Sequence, residues 1–383
     1  MELLPTVWFV AIAVLWTGYL FLEGFDLGVG MLMKLFARND TDRRVLLNTI
    51  GPVWDGNEVW LLTAAGATFA AFPLWYASLF SALYLPLLIV LVALIFRAVA
   101  FEYRGKVDTV RWRTMWDWAI AVGSFTAAFG VGAALALTTT GLPIDSNGDR
   151  QGGPFAWFSG YAVLGGFAVV SFALVHALAF LALKTDGEVR HRARRWFVRL
   201  APLALLPLLA WVVAVQLLSG KPLTWILVIL AVLAAAGAWI LARKGAEGKA
   251  FGALGAFLVC AAASIFGAAF PVVIPSTLNP AFNLTISNAS SSAYTLGLMS
   301  IAAAVGLPLV IAYQAWTYWV FRRRVSAAHI PAAHGFLPAI AANVLVGHAA
   351  PGGAEGSGPE GTGTQGTGPQ RTAPKTTPRD AGE

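Results

Sequence analysis

Apolar residues gather in nine runs, each near the length of about 20 residues that crosses a bilayer as a helix. They fall near 6–32, 52–72, 76–100, 117–139, 157–183, 200–218, 223–242, 251–272 and 293–321. The pattern predicts an all-α polytopic membrane protein of nine transmembrane helices. Phe72-Pro73 must turn the chain between the second and third runs, and Ser219-Gly-Lys-Pro222 joins the sixth to the seventh. The stretches 140–156 and 273–292 are polar but poor in charge and read as loops. From about Pro351 the chain is rich in Gly, Pro and Thr without apolar periodicity, and such a segment cannot bury a core. Two regions are expected: a transmembrane domain over 1–325 and a cytoplasmic tail over 326–383, disordered from about 351. No internal repeat is clear.

Composition sharpens this picture. With 58% hydrophobic and 12% charged residues among 383, the chain is too apolar for a soluble domain. Its net charge of +7 raises the question of nucleic acid, and the placement of the charge answers it. Twenty Lys and Arg follow the first, third, fifth, seventh and ninth runs, whereas Arg150 and Lys221 alone lie in the opposite connections. Cytoplasmic loops concentrate positive charge, so the N-terminus is expected outside and the C-terminus in the cytoplasm, with no nucleic-acid partner. The single cysteine, Cys260, allows no internal disulfide and no CxxC site. The N-terminus lacks the basic region of a cleaved signal peptide, so the first run is expected to be retained.

Polar residues inside the runs then become informative. An ionisable side chain in hydrocarbon costs from about 2.5 kcal/mol upward unless it is paired, hydrated or neutralised. Asp55 and Glu58 head the second run in Gly51-Pro-Val-Trp-Asp-Gly-Asn-Glu-Val-Trp60. They are three apart and so project from one helix face, with Asn57 supplying an amide between them. Glu23 and Asp26 repeat the spacing in the first run, beside Gly24 and Gly28. One reading is a proton route through Asp55, Glu58, Glu23, Asp26 and Asn57. The other is structural: Asp26 and Asp55 pair with Arg97 or cap helix ends. Trp54, Arg97 and Asp117 are structural or interface candidates, Asp117 as a carboxylate suited to the N-terminus of the fourth span. Gly24-x-x-x-Gly28 reads as a small-residue helix contact.

Histidine limits the redox chemistry available. Of five, only His176 lies within a run, so a bis-histidine haem has no second ligand inside the bilayer. A pairing with Met299 is the remaining arrangement, and a lone histidine more often packs between helices. No metal site and no catalytic centre is expected in this chain alone.

Several of these pieces occur together in one known family. Glu23-Gly-Phe-Asp-Leu-Gly28, Arg38-Asn-Asp40 with Arg43-Arg44, and Trp54-Asp-Gly-Asn-Glu-Val-Trp60 resemble subunit II of the cytochrome bd quinol oxidases. So do Phe96-Arg97 with Phe101-Glu-Tyr-Arg104, Arg111-Trp-Arg113 with Met115-Trp-Asp-Trp118, Phe270-Pro271 with Pro275-Ser-Thr277, and Tyr294-Thr-Leu296. The resemblance implies a haem-poor subunit in a bacterial cell membrane, associated with a subunit I that carries haem b, haem d and the quinol site. A small accessory subunit is a further partner it allows. The complex would be a quinol:oxygen oxidoreductase that reduces dioxygen to water with cytoplasmic protons, with Asp55 on the proton route. A proton-coupled secondary transporter using the same acids is the competing reading.

Overall fold

The computed structural model describes residues 3–330, so the expected disordered tail lies outside the described residues, as do His334 and His348. The chain is helical almost throughout. Helix α1 spans Leu3–Leu35, α2 Asp40–Ile50, α3 Trp54–Ala71, α4 Pro73–Ala82 and α5 Tyr84–Tyr103. Then follow α6 at Val110–Thr140, α7 at Gly160–Lys184, α8 at Gly187–Ala204, α9 at Leu206–Ser219, α10 at Pro222–Arg243, α11 at Glu247–Ala269 and α12 at Ala293–Val320. Strands β1 (Val272–Ile274) and β2 (Leu284–Thr285) form a small antiparallel pair in the connection before α12.

Among the described residues, eight segments are long and apolar enough to cross a membrane. The expected second span is α3, whose first turn, Trp54-Asp-Gly-Asn-Glu58, keeps it out of that set. The expected third run also divides differently. Its first residues belong to α4, and the apolar span is α5. Pro86 explains the break, because it has no N–H for the carbonyl of Ala82. Arg150 Nη1 takes up that carbonyl at 3.5 Å.

Two stretches expected as basic loops are amphipathic helices. In α8, Val189, Ala193, Phe197 and Ala201 recur every four residues and are buried, while Arg195 and Arg199 face outward. In α2, Asn39 caps the start by accepting from the Asp42 N–H at 2.8 Å, and Val45, Leu46, Thr49 and Ile50 turn inward. Their many charges hide the apolar stripe from a hydropathy average. The sixth expected run therefore begins within α8 and continues as α9 after a break at Leu205, between Pro202 and Pro207.

The middle of the bundle is α1, α6 and α7, with most of α6 and α7 buried. Helix α12 lies at the edge, and Leu296 is the one residue of it that is fully covered. The basic segments meet at one end: Arg104 binds Asp40, Arg192 binds Asp42, and Glu247 gathers Arg190, Arg194 and Arg324.

Close approach of α1 to α7 depends on Gly28, where a Cβ would run into the Ala173 carbonyl and Ala177. At Gly24 a Cβ would rest at an ordinary 3.5 Å from His176 Nδ1. Gly28→Leu is therefore expected to destabilise the folded protein by about 3 kcal/mol, and Gly24→Ala to change little. Thermal unfolding midpoints in mild detergent test the contrast, and equal midpoints for the two variants would count against this packing.

Candidate functional site

Three helices bring the site together. From α1 come Glu23 and Asp26, from the first turn of α3 come Asn57 and Glu58, and from α5 comes Arg97. Glu23, Asp26, Asn57 and Arg97 are wholly buried. The Arg97 Nη2 atom lies 2.9 Å from Glu23 Oε1, and Nη1 donates to Glu58 Oε2 at 3.2 Å. The guanidinium also sits 5.1 Å from the Phe101 ring centre, and Phe101 packs at 4.8 Å against Trp54. One cation thus bridges α1 and α3 from α5, backed by an aromatic pair.

Asn57 forms the second half. Its Nδ2 donates to Asp26 Oδ2 at 2.6 Å, while its Oδ1 accepts from Gln314 Nε2 at 2.9 Å and Tyr318 OH at 2.8 Å. These last two residues belong to α12 and were not among the sequence candidates. The available signal was Gln314 itself, an amide within an apolar run. Glu23 and Asp26 Oδ1 retain oxygens with no aligned hydrogen-bond donor among the described residues. The cluster therefore contains three carboxyl groups, one fixed cation and unsatisfied acceptors, and the number of protons it holds sets its net charge.

Asp55 stands apart from this group. It is exposed at the start of α3, and the structure gives it no contact with Arg97. Three residues of a helix turn through about 300°, so Asp55 and Glu58 differ by about 60° around the axis. That is enough here to leave Asp55 at the surface and turn Glu58 inward, four-fifths covered. The structural reading that paired Asp26 and Asp55 with Arg97 is replaced by Glu23 and Glu58.

Asp117 is also placed differently from expectation. Helix α6 begins at Val110, where Thr109 caps the end, so Asp117 lies two turns inside and away from the helix terminus. Its Oδ1 accepts from Arg104 Nε at 2.6 Å, and Arg43 Nε is 3.5 Å from Oδ2. Arg104 Nη2 continues to Asp40 at 2.6 Å. Burial pushes the Asp40 carboxyl up, but the hydrogen bond and charge of Arg104, with Arg113 and Arg44, hold it below its ordinary value.

His176 is buried, and neither ring nitrogen is hydrogen-bonded. Phe251, Phe172, Phe21 and Phe25 surround it at ring separations of 4.9, 5.0, 5.1 and 5.8 Å. This aromatic shell does not fit haem ligation, since the imidazole faces side chains on all these sides.

A family model described as cytochrome bd terminal oxidase subunit II matches residues 4–321. The chain belongs to this family. This subunit II is 44% identical to cytochrome bd ubiquinol oxidase subunit 2 of Bacillus subtilis (strain 168), covering 85% of its own length and 98% of the relative. It is 32% identical to cytochrome bd-I ubiquinol oxidase subunit 2 of Escherichia coli (strain K12), covering 86% and 97%. Its fold is similar to a chain of the bd oxidase from Geobacillus thermodenitrificans, with a TM-score of 0.70 and 18% identity over 84% of this chain and 99% of that one.

Two expectations follow for this subunit II. Arg97→Ala leaves buried carboxyl groups without their cation and is expected to cost about 3–5 kcal/mol. Adding Glu23→Ala should recover part of that loss, and a double-mutant cycle on unfolding midpoints measures it; strictly additive losses would show that the pair is not coupled. For Asp40 the folded pKa lies below the unfolded one, so its contribution is present above the usual carboxylate range and lost as pH falls through the folded value. The stability gap between the native protein and Asp40→Asn is therefore expected to narrow as pH falls below the usual carboxylate range, and unfolding midpoints recorded across that range check it.

Proposed function

We propose that the chain works as the haem-poor subunit II of a quinol-oxidising complex that reduces dioxygen to water. The observation that carries this reading is the match to the Bacillus subtilis subunit over 98% of that relative's length. Haem b and haem d are assigned to a subunit I, in keeping with the His176 shell described above. The complex sits in the bacterial cell membrane, with α3 as a ninth span, the N-terminus outside and the C-terminus in the cytoplasm. Gathering of the basic segments at one end supports that orientation. The transporter reading has no support from family membership.

Within the complex, this chain supplies a scaffold and a proton route. Asp55 is the exposed group at the head of α3, and Glu58 follows one turn further in, partly exposed and on Arg97. Beyond Arg97 lie Glu23 and the Asp26–Asn57 pair, wholly enclosed. Protons taken up at Asp55 pass to Glu58 and then to the buried acids. Arg97 fixes the geometry and compensates negative charge as they do so.

Purification of the tagged chain in mild detergent is expected to recover a second large membrane subunit and haem b and d bands in the reduced-minus-oxidised spectrum. A colourless protein without a partner would overturn the oxidase reading. In the intact complex, Glu58→Gln is expected to lower quinol-driven oxygen consumption by on the order of 10²-fold, and Asp55→Asn to lower it as well, with haem content unchanged. Full turnover in both variants would remove the proton route and leave the scaffold.

A further inference from the structure

The face formed by α8, α9 and α10 has no role in the function proposed above. Near the basic end of the bundle, Arg194, Arg195 and Arg199 of α8 and Arg243 at the end of α10 line a cavity of about 260 Å³. Below it, Pro202, Leu206, Leu209, Val232, Ala236 and Trp239 line an apolar groove of about 330 Å³. The two are neighbours. Trp239 of the groove donates through Nε1 to the Val198 carbonyl at 2.9 Å, and Val198 lines the upper cavity. The Arg243 guanidinium lies 4.7 Å from the centre of the same indole.

Charge is unbalanced in the upper cavity. Arg194 lies 3.8 Å from Glu247, which already binds Arg190 and Arg324, and Arg195 is 3.3 Å from Glu188. Arg199 and Arg243 are exposed and face no carboxylate among the described residues. Two guanidinium groups therefore stand unneutralised directly above an apolar groove. Guanidinium groups suit phosphate oxygens because their planar N–H donors can bind two at once. The break at Leu205 supplies the groove, since Pro202 and Pro207 interrupt the backbone ladder and part α8 from α9 at that depth.

We infer that α8, α9 and α10 form a binding site for one anionic phospholipid, with its phosphate held by Arg199 and Arg243 and an acyl chain lying along Leu206, Val232 and Trp239. The order of the surface selects this occupant. A free anion has no use for the groove, and a lipid without net charge leaves both arginines uncompensated. Each basic side chain near a membrane surface adds to the attraction for anionic lipid. Loss of two should weaken binding by about tenfold or more.

The test uses the intact complex, delipidated in mild detergent and examined by native mass spectrometry with added dioleoylphosphatidylglycerol, dioleoylphosphatidylcholine or inorganic phosphate. The native protein is expected to retain one phosphatidylglycerol at least tenfold more tightly than phosphatidylcholine. Arg199→Gln with Arg243→Gln should reduce it to the phosphatidylcholine level, and Ala236→Trp, which fills the groove, should weaken it too. Equal retention of the two lipids by the native protein would overturn the proposal without any variant having to fold. So would undiminished retention after both arginines are replaced. Phosphate that displaces phosphatidylglycerol at equal concentration would reassign the arginines to a free anion and overturn the lipid site.

Discussion

A single buried guanidinium governs the arrangement of the first half of this protein. Arg97 is wholly covered, and no bulk water reaches it to offset its charge. Moving such an ion out of water costs several kcal/mol after relaxation, and that cost is offset only where partners and geometry suit it. Here the partners come from two other helices, so α1, α3 and α5 cannot separate without stranding a charge. Membrane helices gain no hydrophobic drive from packing together, because lipid is as apolar as leucine. Polar contacts of this kind therefore carry unusual weight in deciding which helices are neighbours.

At the basic end the same physics operates under milder conditions. Asp117, Arg104, Asp40 and Arg43 form a chain of ion pairs that joins α2, α5 and α6, and Arg192 on Asp42 adds α8. The acids are few, and several of them, Asp40 and Asp117 included, serve more than one cation. Glu247, for example, receives three. The excess positive charge that marks these segments in sequence is consequently only partly cancelled, and Arg199 on α8 and Arg243 on α10 stay exposed with no carboxylate partner among the described residues.

Much of the architecture was legible as apolar runs near bilayer length, and four acids within them pointed to the right two helices. Arg97 was also identifiable as their partner. What could not be read was which acid meets it, because a difference of about 60° around α3 separates an exposed Asp55 from an inward Glu58. The second feature out of reach was Asn57 as a junction, since its donors Gln314 and Tyr318 lie more than 250 residues away. The amphipathic helices α2 and α8 escaped for a third reason. Charged residues dominate their average hydropathy, and only the spacing of Val189, Ala193, Phe197 and Ala201 betrays the buried stripe.

Helix α12 combines wide exposure with contacts at two separated heights. Near its start the Trp8 indole donates to the Leu296 carbonyl at 3.2 Å and to Ser300 Oγ at 3.1 Å. Near its end Gln314 and Tyr318 reach Asn57. Eighteen residues separate Leu296 from Gln314, about 27 Å along a helix, close to the roughly 30 Å depth of a hydrocarbon core. The helix is thus tied to the bundle at two heights and cannot slide along its own axis without breaking one of the attachments. Pro308, between the two attachments, interrupts the backbone ladder. With both attachments in place, α12 acts as a strut of fixed height beside the bundle.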